Sequence, residues 1–305
     1  MEKTMHKPLL PFLVLLLLSL PSTPWGDETE TETEPEPNKQ HFVLVHGACL
    51  GAWSWYKVTT YLQSDGHNVT ALDMAGAGID PTKPESVNSI GEYYEPLFRF
   101  MENLALDAKI VLVGHSMGGL GISMAMEKFP EKISVAIFVT AAMPPPLPWP
   151  LSSIQQQKQM RIILGMYDGF YTEDHENENE SRGLGQWFFS QQQLATLLYP
   201  LSPPEDVTLA TALERPVRAF DVFKSMSELK LTREKYGSVK RAFVVSEDDK
   251  MIPEGIVELM LLLNEPDLVS KIKASDHMVM ASKPHDLAQQ LHTIAHQLSS
   301  SSADV

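Results

Sequence analysis

The feature that most constrains this fold is a junction near the middle of the chain. An unbroken apolar run, Ile110-Val111-Leu112-Val113, passes directly into Gly114-His115-Ser116-Met117-Gly118-Gly119. Leu120–Lys128 then reads as a helix that Pro130 ends. A run with no polar alternation suits a strand covered on both faces, as in a parallel sheet. A strand that becomes a helix within so few residues crowds the flanking positions, and glycine, having no Cβ, admits the turn. The Gly-x-Ser-x-Gly spacing presents Ser116 on a strained strand-to-helix turn, its hydroxyl above the sheet edge. The helix N-terminus beneath favours negative charge there.

The same rhythm extends over much of the chain. Phe42–Val45, Val69–Leu72, Val135–Val139, Arg241–Val245 and Val269–Ile272 read as further strands. Trp53–Ser64, Ile90–Leu106 and Pro284–Leu298 read as helices. Alternating strands and helices predict an α/β fold: a mostly parallel, doubly wound sheet with helices on both faces. Residues 144–238 break the pattern. They open on Pro144-Pro145-Pro146, hold an acidic loop at Glu173–Glu180 and show no strand signal. So long a stretch is too much for a crossover, so it reads as a mainly helical cap inserted over the strand ends. The core is then 40–143 together with 239–299.

The ends do not belong to that core. Lys3 and Lys7 precede an apolar run from Leu9 to Leu20, followed by Pro21, Ser22, Pro24 and Gly26. Residues 1–26 thus have the layout of a signal peptide, and their apolar run is shorter than a membrane span. Residues 27–39 open DETETETEPEP, an acidic linker with no apolar face to bury, expected to be disordered. Composition narrows the function. A net charge of -15 opposes nucleic-acid binding, which needs a basic face. A single cysteine, Cys49, excludes an internal disulfide and a Cys-rich zinc site. Two Asn-x-Ser/Thr sequons are present: Asn179 in the acidic loop is the better acceptor, and Asn68, at the start of a strand, is expected to be buried.

A serine hydroxyl is a weak nucleophile and needs a base held by a third group. For a serine on such a turn the partners follow in the order acid, then histidine. The strand Arg241–Val245 runs into Glu247, Asp248 and Asp249, three carboxylates within one turn, and physics alone leaves the choice open. The last strand leads through Ser275 and Asp276 to His277, which is the expected base. His285, His292 and His296 lie on the closing helix as surface or packing residues. The first strand ends at His46-Gly47-Ala48, so the backbone amides of Ala48 and Met117 form a two-donor oxyanion hole. His46 is expected to be structural and Cys49 to be small packing.

The stretches HFVLVHGACLGAWSWYKV (41–58), ALDMAGAGID (71–80), KIVLVGHSMGG (109–119), LSPPEDVTLA (201–210), YGSVKRAFVVSEDDKMIP (236–253) and SDHMVMASKP (275–284) resemble the plant methylesterase branch of the α/β-hydrolases. That branch holds the methyl salicylate, methyl jasmonate and methyl indole-acetate esterases, polyneuridine aldehyde esterase and the related α-hydroxynitrile lyases. The resemblance covers nearly all of 41–298 and implies the α/β-hydrolase fold. It places the nucleophile on Ser116, the base on His277, the acid on Asp249 of the Asp-Lys-x-Ile-Pro pattern, and the oxyanion amides on Ala48 and Met117. The lyases carry a threonine near the first oxyanion position and a lysine after the histidine; here those positions are Ala48 and Met278. A serine carboxylesterase acting on a small, methyl ester of an apolar or aromatic acid is therefore expected, with no metal or organic cofactor. Cap aromatics Tyr167, Phe170, Tyr171, Trp187, Phe188, Phe189 and Tyr199 suit such an acid. The competing readings are a hydroxynitrile lyase, a triad-bearing ligand sensor, and an esterase whose product decarboxylates spontaneously. The expected partner is a small-molecule ester, without nucleic acid or stable membrane anchoring of the mature chain. Oligomeric state is open, although family members often pair. The leader departs from the family and implies the secretory pathway or the exterior if cleaved, the cytoplasm otherwise.

Overall fold

In the computed structural model, the residues described are 39–146, 185–218, 220 and 228–300. The leader at 1–26, almost all of the acidic linker, Asn179, Tyr167, Phe170 and Tyr171 lie outside the described residues. All described residues fall within one compact unit, Pro37–Val305.

Six strands form the main sheet: β1 (His41–Val45), β2 (Asn68–Leu72), β3 (Ile110–His115), β4 (Ile133–Val139), β7 (Arg241–Ser246) and β8 (Leu268–Ile272). They run in the order β2-β1-β3-β4-β7-β8, and every pairing is parallel. All of β3 is buried, as is β1 from Phe42 to Val45, which explains their unbroken apolar sequences. Parallel neighbours require crossovers, supplied by α1 (Tyr56–Ser64), α2 (Ile90–Tyr93) with α3 (Glu95–Asn103), α4 (Gly118–Lys128), and α6 (Glu254–Leu263) between β7 and β8. The described part of 144–238 contributes α5 (Pro204–Leu213). The chain closes with α7 (Val279–Ser282) and α8 (Pro284–Ser300).

Three expectations need correction. The helix predicted over Ile90–Leu106 is two helices that meet at Tyr94, because Pro96 sits at the start of α3, where its missing N–H costs nothing. The 144–238 stretch, predicted strandless, pairs β5 (Gln186–Trp187) with β6 (Val217–Arg218) as an antiparallel ribbon. Two-residue strands are too short to show a period in sequence. Asn68, expected to be buried, is exposed, because β2 is an edge strand.

The register gathers the strand ends. Val45 of β1 lies beside Gly114 of β3, His115 beside Val139 of β4, Val139 beside Val244 of β7, and Ser246 beside Ile272 of β8. With all strands parallel, the segments after β1, β3, β4, β7 and β8 emerge on one edge, where open α/β sheets hold their ligands.

Candidate active site

Ser116 follows β3 with φ 53°, a left-handed conformation that a residue with a Cβ enters at about 1–3 kcal/mol. Neighbouring glycines make that turn fit. A Cβ on Gly118 would lie 2.6 Å from the carbonyl oxygen of Val45, and one on Gly114 would lie 2.9 Å from that of Gly118. Cys49 after β1, Thr140 after β4 and Ala274 after β8 also take positive φ, at 63°, 37° and 51°. Strain thus gathers at the edge that presents the chemistry.

The structure brings Ser116, His277 and Asp249 together. The hydroxyl of Ser116 lies 3.0 Å from Nε2 of His277, across 161 positions of sequence. Nδ1 of His277 lies 2.8 Å from Oδ2 of Asp249, with both side chains almost wholly buried. Because the carboxylate can only accept, Nδ1 carries the proton, and Nε2 is free to accept one from Ser116. Asp249 is separated from its rivals by burial: Glu247 and Asp248 are exposed. Four donors converge on Asp249. The amides of Met251 and Ile252 reach Oδ1 at 2.7 and 3.0 Å, and Thr140 Oγ1 joins His277 at Oδ2, at 2.5 Å. Burial pushes this carboxyl up, but the charge and hydrogen bond of His277, then Thr140 and the Ile252 amide, outweigh it and hold the group below its ordinary value.

Gly47 lies against Ser116, since a Cβ on it would sit 2.9 Å from the serine Cβ. The Ala48 turn is therefore beside Ser116. Ala48 and Met117 are buried, and among the described residues neither backbone amide donates to an acceptor. Tyr94 from the α2–α3 junction donates to the carbonyl of Met117 at 2.6 Å, fixing that peptide.

Two histidines near the site are structural. His46 Nδ1 donates to the Gly47 carbonyl at 2.8 Å while its Nε2 accepts from the Met74 amide at 3.1 Å. Burial lowers its pKa, and the Met74 amide needs the unprotonated Nε2 of the neutral ring. His115 donates from Nε2 to the carbonyl of His277 at 2.9 Å, and burial drives its pKa down to about 3. Cys49 is wholly buried, donates Sγ–H to the Trp187 carbonyl at 3.3 Å, and burial raises its thiol well above the ordinary value. Such a thiol is a poor nucleophile. His285, His292 and His296 are exposed on α8, with His292 joined to His67 at 2.7 Å. Among the described residues no three His, Cys, Asp or Glu side chains are grouped to hold a metal ion.

Sequence reading missed Thr140 and His115 as supports of the site. Both sit at the end of a buried strand, which was the available signal. The described aromatics of the expected cap divide: Trp187, Phe189 and Tyr199 are buried, whereas Phe188 is 45% exposed.

Residues 42–290 match the model of the alpha/beta hydrolase family. The chain is 47% identical to methyl jasmonate esterase 1 of Vitis vinifera over 86% of its length and 98% of that protein. It is 38% identical to polyneuridine aldehyde esterase of Rauvolfia serpentina, over 84% of this chain and 96% of that one. Among solved structures, a variant of tomato methylketone synthase I complexed with β-ketoheptanoate superposes with a TM-score of 0.76. It is 39% identical, over 85% of this chain and 98% of that one.

Proposed function

Since the chain belongs to the plant methylesterase branch of the alpha/beta hydrolase family, and is a carboxylic ester hydrolase, we propose that Ser116, His277 and Asp249 are its catalytic triad and that the substrate is the methyl ester of a small apolar or aromatic acid. The observation that carries this reading is the unbroken relay Ser116–His277–Asp249, at 3.0 and 2.8 Å.

His277 removes the hydroxyl proton as Ser116 attacks the ester carbonyl. The amides of Ala48 and Met117 hold the oxyanion, aided by the N-terminus of α4 directly after the serine. His277 then protonates the departing methanol, and a water molecule, deprotonated by the same imidazole, releases the acid from Ser116. Asp249 keeps Nδ1 protonated throughout and stabilises the imidazolium. Methanol offers little surface to bind, so affinity falls on the acyl part. The buried aromatic residues Trp187, Phe189 and Tyr199 support an apolar or aromatic acid. The lyase reading is weaker, because Ala48 and Met278 are buried apolar side chains that cannot manage a cyanide leaving group.

The test is turnover of a panel of methyl esters by the wild type and by Ser116→Ala. Loss of hydrolysis in the variant is expected, and equal turnover by both removes this mechanism. A panel that includes methyl esters of β-keto acids also decides whether the released acid loses CO2. The complex of the tomato relative with β-ketoheptanoate motivates including them.

A further inference from the structure

The loop that carries His277 is held by the cap as well as by the sheet. On the sheet side, Ser246 Oγ donates to the carbonyl of Asp276 at 2.7 Å, and His115 Nε2 donates to that of His277 at 2.9 Å. On the cap side, the amide of Met278 donates to the carbonyl of Leu198 at 3.1 Å. The Asp276 carboxylate reaches the same cap segment: Oδ2 accepts from the Leu201 amide at 2.9 Å and from Ser202 Oγ at 2.8 Å. Asp276 is wholly buried, and among the described residues its other oxygen, Oδ1, has no partner. A carboxylate withdrawn from water next to the base, spending one oxygen on two cap donors, is costly unless those bonds serve a purpose. The cap segment begins in a π-turn at Leu194–Leu198, a form that occurs frequently at functional sites.

We propose that Asp276 is a positioning residue that clamps the cap segment Leu198–Ser202 to the base-bearing loop, so that seating of the cap sets the distance between His277 and Ser116. The inference rests on the esterase reading above. The clamp needs an acceptor at Oδ2 and no negative charge. Asparagine can supply the acceptor oxygen, with its amide group taking the position of the unpartnered Oδ1, whereas alanine removes the clamp.

The experiment compares Asp276→Ala, Asp276→Asn and Ser202→Ala in the full chain, with rates normalised to folded protein. Asp276→Ala is expected to lower kcat about 10–100-fold with KM changed less than about threefold, since small misplacements of reacting groups cost on this scale. Asp276→Asn restores the rate to within about threefold of wild type, and Ser202→Ala, which touches neither Ser116 nor His277, lowers kcat without raising KM. In parallel, the imidazole proton between His277 and Asp249 is followed by NMR in histidine-labelled protein. It is expected to be sharp in wild type and Asp276→Asn, and to be broadened or absent in Asp276→Ala. If Asp276→Ala does not fold, Ser202→Ala and Asp276→Asn decide. Wild-type kcat and an unchanged imidazole signal in Asp276→Ala overturn the clamp, as does an Asp276→Asn variant as slow as the alanine. Wild type that turns over no ester removes the esterase reading instead, and the NMR arm then decides the clamp alone.

Discussion

Replacing Thr140 by valine removes one donor from the Asp249 carboxylate and changes little else. Both residues are β-branched and nearly isosteric, so the φ of 37° at this position and the packing of a side chain only 1% exposed are retained. Oδ2 of Asp249 loses its 2.5 Å bond from the hydroxyl and keeps the bond from His277, while Oδ1 keeps its two amides. Buried hydrogen bonds to charged groups are worth about 1.5–3 kcal/mol, and with three donors remaining the expected loss of folding stability is about 2 kcal/mol at pH 7. The sign with pH follows from Asp249. Its carboxyl is held below the ordinary value in the fold, so the stability it confers is present above the unfolded value and lost as pH falls through the folded one. The deficit of Thr140→Val is therefore flat between about pH 6 and 8 and shrinks only below about pH 4. Because the bond orienting Nδ1 survives, kcat is expected to fall no more than about tenfold, roughly 1.4 kcal/mol of barrier. Urea unfolding across pH, with ester hydrolysis on the same samples, measures both. Unchanged stability at pH 7, or a rate loss near the ~10⁴-fold seen when a triad acid is neutralised, refutes the reasoning.

Other substitutions test the scaffold. Gly118→Ala would place a methyl group 2.6 Å from the Val45 carbonyl, so a loss of about 3 kcal/mol or more is expected in thermal or urea melts. Gly255→Ala, in α6, meets nothing within 4 Å and should raise stability by about 0.5–1 kcal/mol. Lys132 is buried and its ammonium donates to the carbonyls of Met101, Glu102 and Leu104, closing the end of α3. Lys132→Met leaves those oxygens without that donor, and urea unfolding should show a loss of about 3 kcal/mol. Burial pushes the carboxyl of Glu214, which accepts from the Phe189 amide at 2.5 Å, up to about 7. A raised acid stabilises the fold below its unfolded value and loses that contribution as pH rises through the folded one. Glu214→Gln should therefore gain relative to wild type between about pH 5 and 8, by about 1 kcal/mol once solvent screening of this half-buried group is allowed for.

The legible parts of the sequence share a physical cause. Buried parallel strands are written as continuous apolar runs, so β1, β3 and β4 were visible, and a serine on a strand-to-helix turn needs glycines at positions that can be read directly. His277 was legible because it follows the last strand. The choice of Asp249 over Glu247 and Asp248 was not legible from local pattern, since it depends on which of three adjacent carboxylates turns inward to meet Thr140, 109 positions away. Asp276 was passed over for the same reason: its partners at 201 and 202 lie in a segment with no periodic signal. Helix α6 went unnoticed because Glu254–Leu263 is apolar on most faces and shows little amphipathic period.

The proposed mechanism requires a covalent passage of the acyl group through Ser116. Rapid-quench mixing of the protein with a turned-over methyl ester, followed by intact mass and peptide mapping, reads that passage directly. The expected result is an adduct of the acyl mass on the peptide that holds Ser116, formed with release of methanol and absent in Ser116→Ala. Acylation of Cys49, or steady turnover that persists in Ser116→Ala, contradicts it.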